Sequence, residues 1–211
     1  MIRILDSKDA GKLLSRRAAR MSEAEQTVRP ILEDVRKKGD KALLGYARKF
    51  DKLTRKSVAV PQAELVAAES RLTAGFKRAV KTSARNVREY AKLQLPQAKR
   101  SEPAPGLKLS QIVRPLETVA AYVPAGRYPL PSTVIMTVVP AVVAGVTNIM
   151  VCAPKAVDEI FGTAHMLGAT HVFEMGGAQA IAAFAYGTKT VPRADRIVGP
   201  GNIYVAAAKK L

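Results

Sequence analysis

Residues 118–152 read TVAAYVPAGRYPLPSTVIMTVVPAVVAGVTNIMVC. Thr118–Val123 is a short run of β-branched and small apolar residues, the texture of a strand. Ser132 is placed to cap a helix that ends near Gly145. Asn148–Cys152 is a second apolar run, short enough for a buried strand. No charged residue occurs between Arg127 and Lys155, a length that would allow a membrane span. Pro140, Gly145 and the Thr147-Asn148 pair break it into two short pieces, so the stretch reads as a buried helix followed by a buried strand. A strand, a helix and a strand at this spacing form one βαβ unit.

The same alternation continues downstream. Asp158–Leu167 reads as a helix with Asp158 at its cap, His171–Glu174 as a strand and Gly177–Tyr186 as a helix. Asp195–Val198 reads as a strand, and Asn202 opens a last helix. Such alternation predicts an α/β fold with a mostly parallel sheet. The closing GNIYVAAAKKL starts a helix that no Gly, Asn or Pro ends, which suggests that the fold continues beyond it.

Upstream the pattern is helical. Ser22 and Glu25 fit a capping box, with Val28, Ile31, Leu32 and Val35 as the apolar stripe behind it. Gly39 stops that helix, and Asp40 is placed to cap the next, which carries Leu43, Leu44, Ala47 and Phe50. Ser57–Val60 is a strand candidate. A helix is expected over 62–72, and the longest one after Thr73, with Phe76, Val80, Val87, Tyr90 and Ala91 on one face. PQAKRSEPAPG (96–106) holds three prolines and a glycine and reads as a linker or domain boundary. The expected organisation is a mainly helical segment, 1–100, and an α/β domain, 101–211.

Composition narrows the function. The 211 residues carry 34 Lys+Arg against 17 Asp+Glu, a net charge of +17. Of these, 25 basic and 11 acidic residues lie in 1–100, so the excess belongs to the helical segment. A basic face is one reading of this and a solvated helical surface another. The absence of aromatic RNA-binding patterns and zinc-finger spacings favours the second. The start, MIRILDSKDAGKLL, has no apolar core of a secretory signal. One cysteine excludes a disulfide framework within the chain.

In an open α/β sheet, ligands gather beyond the carboxyl ends of the strands. Three glycine-containing turns fall there: Tyr122-Val123-Pro124-Ala125-Gly126, Gly176-Gly177-Ala178-Gln179 and Gly199-Pro200-Gly201-Asn202. Together they point to a nucleotide-type site, although no G-x-G-x-x-G fingerprint and no P-loop is present. His165, His171 and Cys152 fall on separate elements and suggest no metal site. Cys152 reads as a core residue. The acidic residues Asp158, Glu159, Glu174 and Asp195 are scattered and supply no general base.

YVPAGRYPLPSTVIMTVVPAVVAGV, GGAQAIAAFAYGT and DRIVGPGNIYVAAAKKL resemble histidinol dehydrogenase. So does VRPILEDVRKKGDKALLGYARKFD upstream. The resemblance runs from about Val28 to Leu211. It implies an incomplete Rossmann-like domain, with residues 1–100 in a second domain completed by a C-terminal half. It implies oxidation of L-histidinol to L-histidine through the aldehyde by two NAD⁺, in a cytoplasmic, zinc-containing homodimer. Tyr122, Gln179 and Asn202 match the family's NAD-contacting positions. Ala125 and Ala121 replace common glycines, and an added methyl is expected to crowd the cofactor. The family's Glu-His acid/base pair and its zinc and substrate ligands lie after the GPGN helix, so no catalytic or metal residue maps onto this chain. The expectation is a chain inactive alone. It would be a fragment, a relic, or one subunit of a split enzyme with a complementary C-terminal polypeptide. A polyanion-binding module is the alternative.

Overall fold

The computed structural model describes residues 6, 10–124, 128–155 and 157–211. Ala125 and Gly126, and the first residues of the N-terminal stretch, lie outside them. The elements are α1 (Ala10–Lys38), α2 (Asp40–Tyr46), α3 (Gln62–Arg71), α4 (Ala74–Leu93), β1 (Lys99–Ala104), β2 (Leu107–Gln111) and β3 (Thr118–Tyr122). They continue with α5 (Pro131–Val143), β4 (Asn148–Ala153), α6 (Asp158–Met166), β5 (His171–Glu174), α7 (Gly177–Tyr186), β6 (Arg196–Val198) and α8 (Ile203–Lys210). Between α2 and the next loop lies a single π-turn, Ala47–Asp51.

Strands β5-β4-β3-β6 form one parallel sheet in that order. The period of two along each strand sends alternate side chains to opposite faces. Ala120, Tyr122, Met150, Cys152 and Phe173 face one core, which holds α7, α8 and the inner stripe of α1. Ala121, Val123, Ile149, Val151 and Val172 face the other, with α5, α6 and α3. Both faces are covered, which is why β3 is buried from end to end and its sequence shows no polar alternation. On α1 the buried stripe is Ala24, Val28, Leu32 and Val35, and this helix packs on α7 and α8. Helix α3 packs on α6, and α4 on α5.

The α/β reading holds, and β5 and α7 fall at the expected bounds. Several local expectations are corrected. No helix starts at Ser22: α1 runs through it for 29 residues, because residues 12–21, rich in Arg, Ala and Leu, contain no Gly or Pro. That also makes α1, not the 20-residue α4, the longest helix. Asp40 caps nothing; Gly39 is the N-cap of α2, and the Asp40 carboxylate accepts from the Thr190 hydroxyl at 2.7 Å and from its N–H at 3.3 Å. Ser132 lies inside α5, whose first residue is Pro131, and Val157 rather than Asp158 precedes α6. Asp158 pairs with Arg71 at 2.6 Å instead. Ser57–Val60 is no full strand. It lies antiparallel along the outer edge of β5, held by Val60 N–H to Val172 and Glu174 N–H to Val58, and it occupies that edge. In and after the proline-rich 96–106 stretch, Lys99–Ala104 and Leu107–Gln111 pair as an exposed antiparallel hairpin.

Thr73 caps α4 as expected, its hydroxyl accepting from Phe76 N–H at 3.2 Å. Asn202 caps α8, its side-chain oxygen accepting from Tyr204 and Val205 N–H at 3.0 and 3.1 Å. Among the described residues no helix is long and apolar enough to cross a membrane.

Candidate functional site

The connections out of β3 and β6 leave the sheet on opposite faces, α5 toward one core and α8 toward the other. Strands β3 and β6 are neighbours in the sheet, so a crevice opens where the connections diverge, beyond the strands' carboxyl ends. A cleft of about 530 Å³ lies at these ends. Tyr122 stands at the end of β3, Gln179 in the first turn of α7 and Asn202 at the start of α8, and all three line the cleft. Helix α1 supplies one wall with Val28 and Ile31, and the π-turn supplies Phe50 and Asp51. Pro124, Pro154 and Tyr204 complete its apolar lining.

The three sequence-derived residues differ in what they offer. Tyr122 is buried, and its hydroxyl accepts from Gly177 N–H at 3.1 Å. Burial pushes its phenol up to about 12, so the group stays protonated and its own O–H remains a donor. Gln179 is 1% exposed and spends its Nε2 on Asp51, so it braces the cleft floor more than it lines a surface. Asn202 is exposed, but its carbonyl oxygen is committed to capping α8.

Two amides at the start of α7 are not open to an anion. Gly176 N–H donates to Asp51 Oδ2 at 2.9 Å, and Gly177 N–H goes to Tyr122. Nor do the described lining residues include a Lys or Arg. The cleft's apolar walls, with the Tyr122 hydroxyl as donor, suit a flat ring.

Asp51 was missed in the sequence, where it ends the motif-bearing segment 28–51 with nothing local to mark it. Its carboxyl is held above the usual carboxylate range by burial, opposed by the donors of Gly176 and Gln179, with Glu174 adding repulsion. Ala121 turns its methyl into the core with Val123, Val134 and Val138, on the sheet face away from Tyr122, and does not line the cleft.

Among the described residues no group of three His, Cys, Asp or Glu side chains stands ready for a metal. His165 is engaged by Glu69 across the α3–α6 contact, and His171 stacks on Phe173. Cys152 is wholly buried, and burial pushes its thiol up.

Residues 14–211 match the family model described as histidinol dehydrogenase. This chain belongs to the histidinol dehydrogenase family. Among curated family members, the histidinol dehydrogenase of Methanothermobacter thermautotrophicus is 40% identical over 98% of this chain and 50% of its own length. That of Methanosarcina barkeri is 45% identical over 94% and 47%, and that of Escherichia coli 41% over 94% and 46%. The crystal structure of histidinol dehydrogenase from Elizabethkingia anophelis superposes with a TM-score of 0.83 at 35% identity, covering 88% of this chain and 44% of that one. The chain thus spans about half the length of the family members it matches.

Proposed function

We propose that this chain forms the NAD-facing half of a cytoplasmic histidinol dehydrogenase, which oxidises L-histidinol to L-histidine through the aldehyde. The observation that carries the reading is the convergence of Tyr122, Gln179 and Asn202, from three separate strand ends, on one cleft. Bound NAD⁺ would supply the hydride acceptor. The chain's own residues bind and orient it: Tyr122 donates a hydrogen bond, Phe50, Val28 and Ile31 exclude water from a ring, and Gln179 holds the floor.

Asp51 is the one carboxylate among the described lining residues, and its Oδ2 is held by two donors. On this reading the acid/base, zinc and substrate groups are supplied by a C-terminal half like that of the longer relatives, in a homodimer or through a complementary polypeptide. Apolar side chains exposed along the α5–β6 side, among them Leu95, Val113, Leu116 and Met136, support such a complement. Calorimetry should show saturable NAD⁺ binding to the 211-residue chain, lost in Tyr122→Phe/Asn202→Ala. The same chain should form no NADH from L-histidinol and NAD⁺ until the complementary half is co-expressed. Binding indifferent to the double substitution, or turnover by the chain alone, contradicts the reading.

One feature favours a second reading. Arg78, Lys81, Arg85 and Lys92 stand exposed at helical spacing on α4, and a polyanion is the partner such a row attracts. Retention on heparin that collapses with salt supports it; weak or salt-indifferent retention removes it.

A further inference from the structure

Asp51 ends the first helical run in an unusual way. Helix α2 passes into the π-turn Ala47–Asp51, and Lys52 follows in the left-handed region at φ 58°. π-turns often mark functional sites, and a non-glycine residue at positive φ is held there only when its surroundings demand it. Here the pair delivers the Asp51 carboxylate to a turn 125 residues further along the chain. A single oxygen, Oδ2, accepts from Gly176 N–H at 2.9 Å and from Gln179 Nε2 at 3.0 Å. The next amide, Gly177 N–H, reaches the Tyr122 hydroxyl at 3.1 Å.

We infer that Asp51 is a positioning residue of the cofactor cleft: its Oδ2 fixes the orientation of the Gln179 amide and holds the Gly176-Gly177 turn against Tyr122. The inference rests on the cofactor reading above. The chemistry is directional. An ionised carboxylate only accepts, so Gln179 must give it the NH₂ end and keep Oε1 on the side of Gly177, whose missing Cβ would lie 2.7 Å from that oxygen. The two cleft residues are thereby set by one acceptor, Gln179 directly and Tyr122 through one backbone amide. The described residues give Asp51 no cation as a partner, and burial raises its carboxyl against the lowering effect of the Gly176 and Gln179 donors.

The test measures NAD⁺ affinity of the 211-residue chain by calorimetry, well below the melting temperature, in Asp51→Ala, Asp51→Asn, Gln179→Ala and the Asp51→Ala/Gln179→Ala pair. Asp51→Ala strands two donors and should weaken binding by about tenfold or more. Asp51→Asn places a carbonyl oxygen where Oδ2 stands and should recover most of that loss. On the Gln179→Ala background, Asp51→Ala should cost less than it does in the parent, because only the Gly176 N–H is then newly stranded. Unchanged affinity in Asp51→Ala, or losses that multiply, overturns the inference. If no form of the chain binds NAD⁺, the cofactor reading fails and amide exchange decides the positioning by itself. Gly176 N–H and the Gln179 side-chain amide should exchange slowly in the parent and in Asp51→Asn and faster in Asp51→Ala. Equal exchange in all three overturns the positioning as well.

Discussion

The two turns that bound the cleft from the α7 and α8 sides are built from similar sequences and behave differently. Gly176-Gly177 is tied inward: its amides go to Asp51 and Tyr122, and Gln179 behind it is buried. Gly199-Pro200-Gly201-Asn202 is held by the Asn202 cap and by Lys209 Nζ, which donates to the Gly199 carbonyl at 2.6 Å, while Gly199 packs against the Tyr122 backbone. Its Gly201 and Asn202 remain exposed. A glycine-containing turn before a helix is therefore not one kind of site. The first is a floor whose two glycine amides are engaged; the second is a rim that stays exposed.

Substitutions separate the two. The largest effect is expected at Gly199, where φ is +105° and an added Cβ would lie 2.1 Å from the Tyr122 carbonyl oxygen. Gly199→Ala should destabilise the chain by about 3 kcal/mol in urea unfolding and push β3 and β6 apart. On the floor, Tyr122→Phe strands the Gly177 N–H and should remove about 1 kcal/mol of stability. Its NAD⁺ affinity should also fall, by roughly tenfold in calorimetry. On the rim, Asn202→Ala removes the acceptor for two N–H groups of α8 and should lower stability by about 1 kcal/mol with little change in Gly176 or Gly177 amide exchange. If it speeds exchange at those amides, the two turns are coupled and the contrast fails.

The smallest effect is a pH dependence. The Asp51 carboxyl is raised in the folded chain by burial, so its contribution to stability is full below the ordinary carboxylate value and is lost as pH rises through the raised one. The melting temperature of Asp51→Asn relative to the parent should therefore climb as pH rises upward from the ordinary carboxylate range. A constant difference would mean that the carboxylate is ordinary and the floor is held by geometry alone.

Much of the sheet was legible because its signals are local. Gly176-Gly177 and Gly187 bracket α7, and the run from Asn148 to Cys152 is apolar because β4 is covered on both faces. The three cleft residues were legible because parallel strands place their carboxyl ends together. Other features depend on contacts that no short window contains. Ser22-x-x-Glu25 has the form of a cap, yet a cap needs a chain break before it, and α1 has none. The 99–111 hairpin was hidden because both its strands are exposed and so show no inside-outside alternation. Asp51 was hidden most deeply. Its meaning lies in the Gly176 amide, and only the π-turn and the left-handed Lys52 bring the two together.

Cys152 sits fully buried in the second strand of the sheet, its thiol pushed up and far from any labelling reagent. The sequence has one cysteine, so every modification event reports from that one place. A thiol-reactive probe meets it only when the strands around it part, and the labelling rate then counts those openings. The chain carries its own stopwatch for sheet breathing, one that would tick more slowly if a bound cofactor or a complementary polypeptide clamps the layers shut.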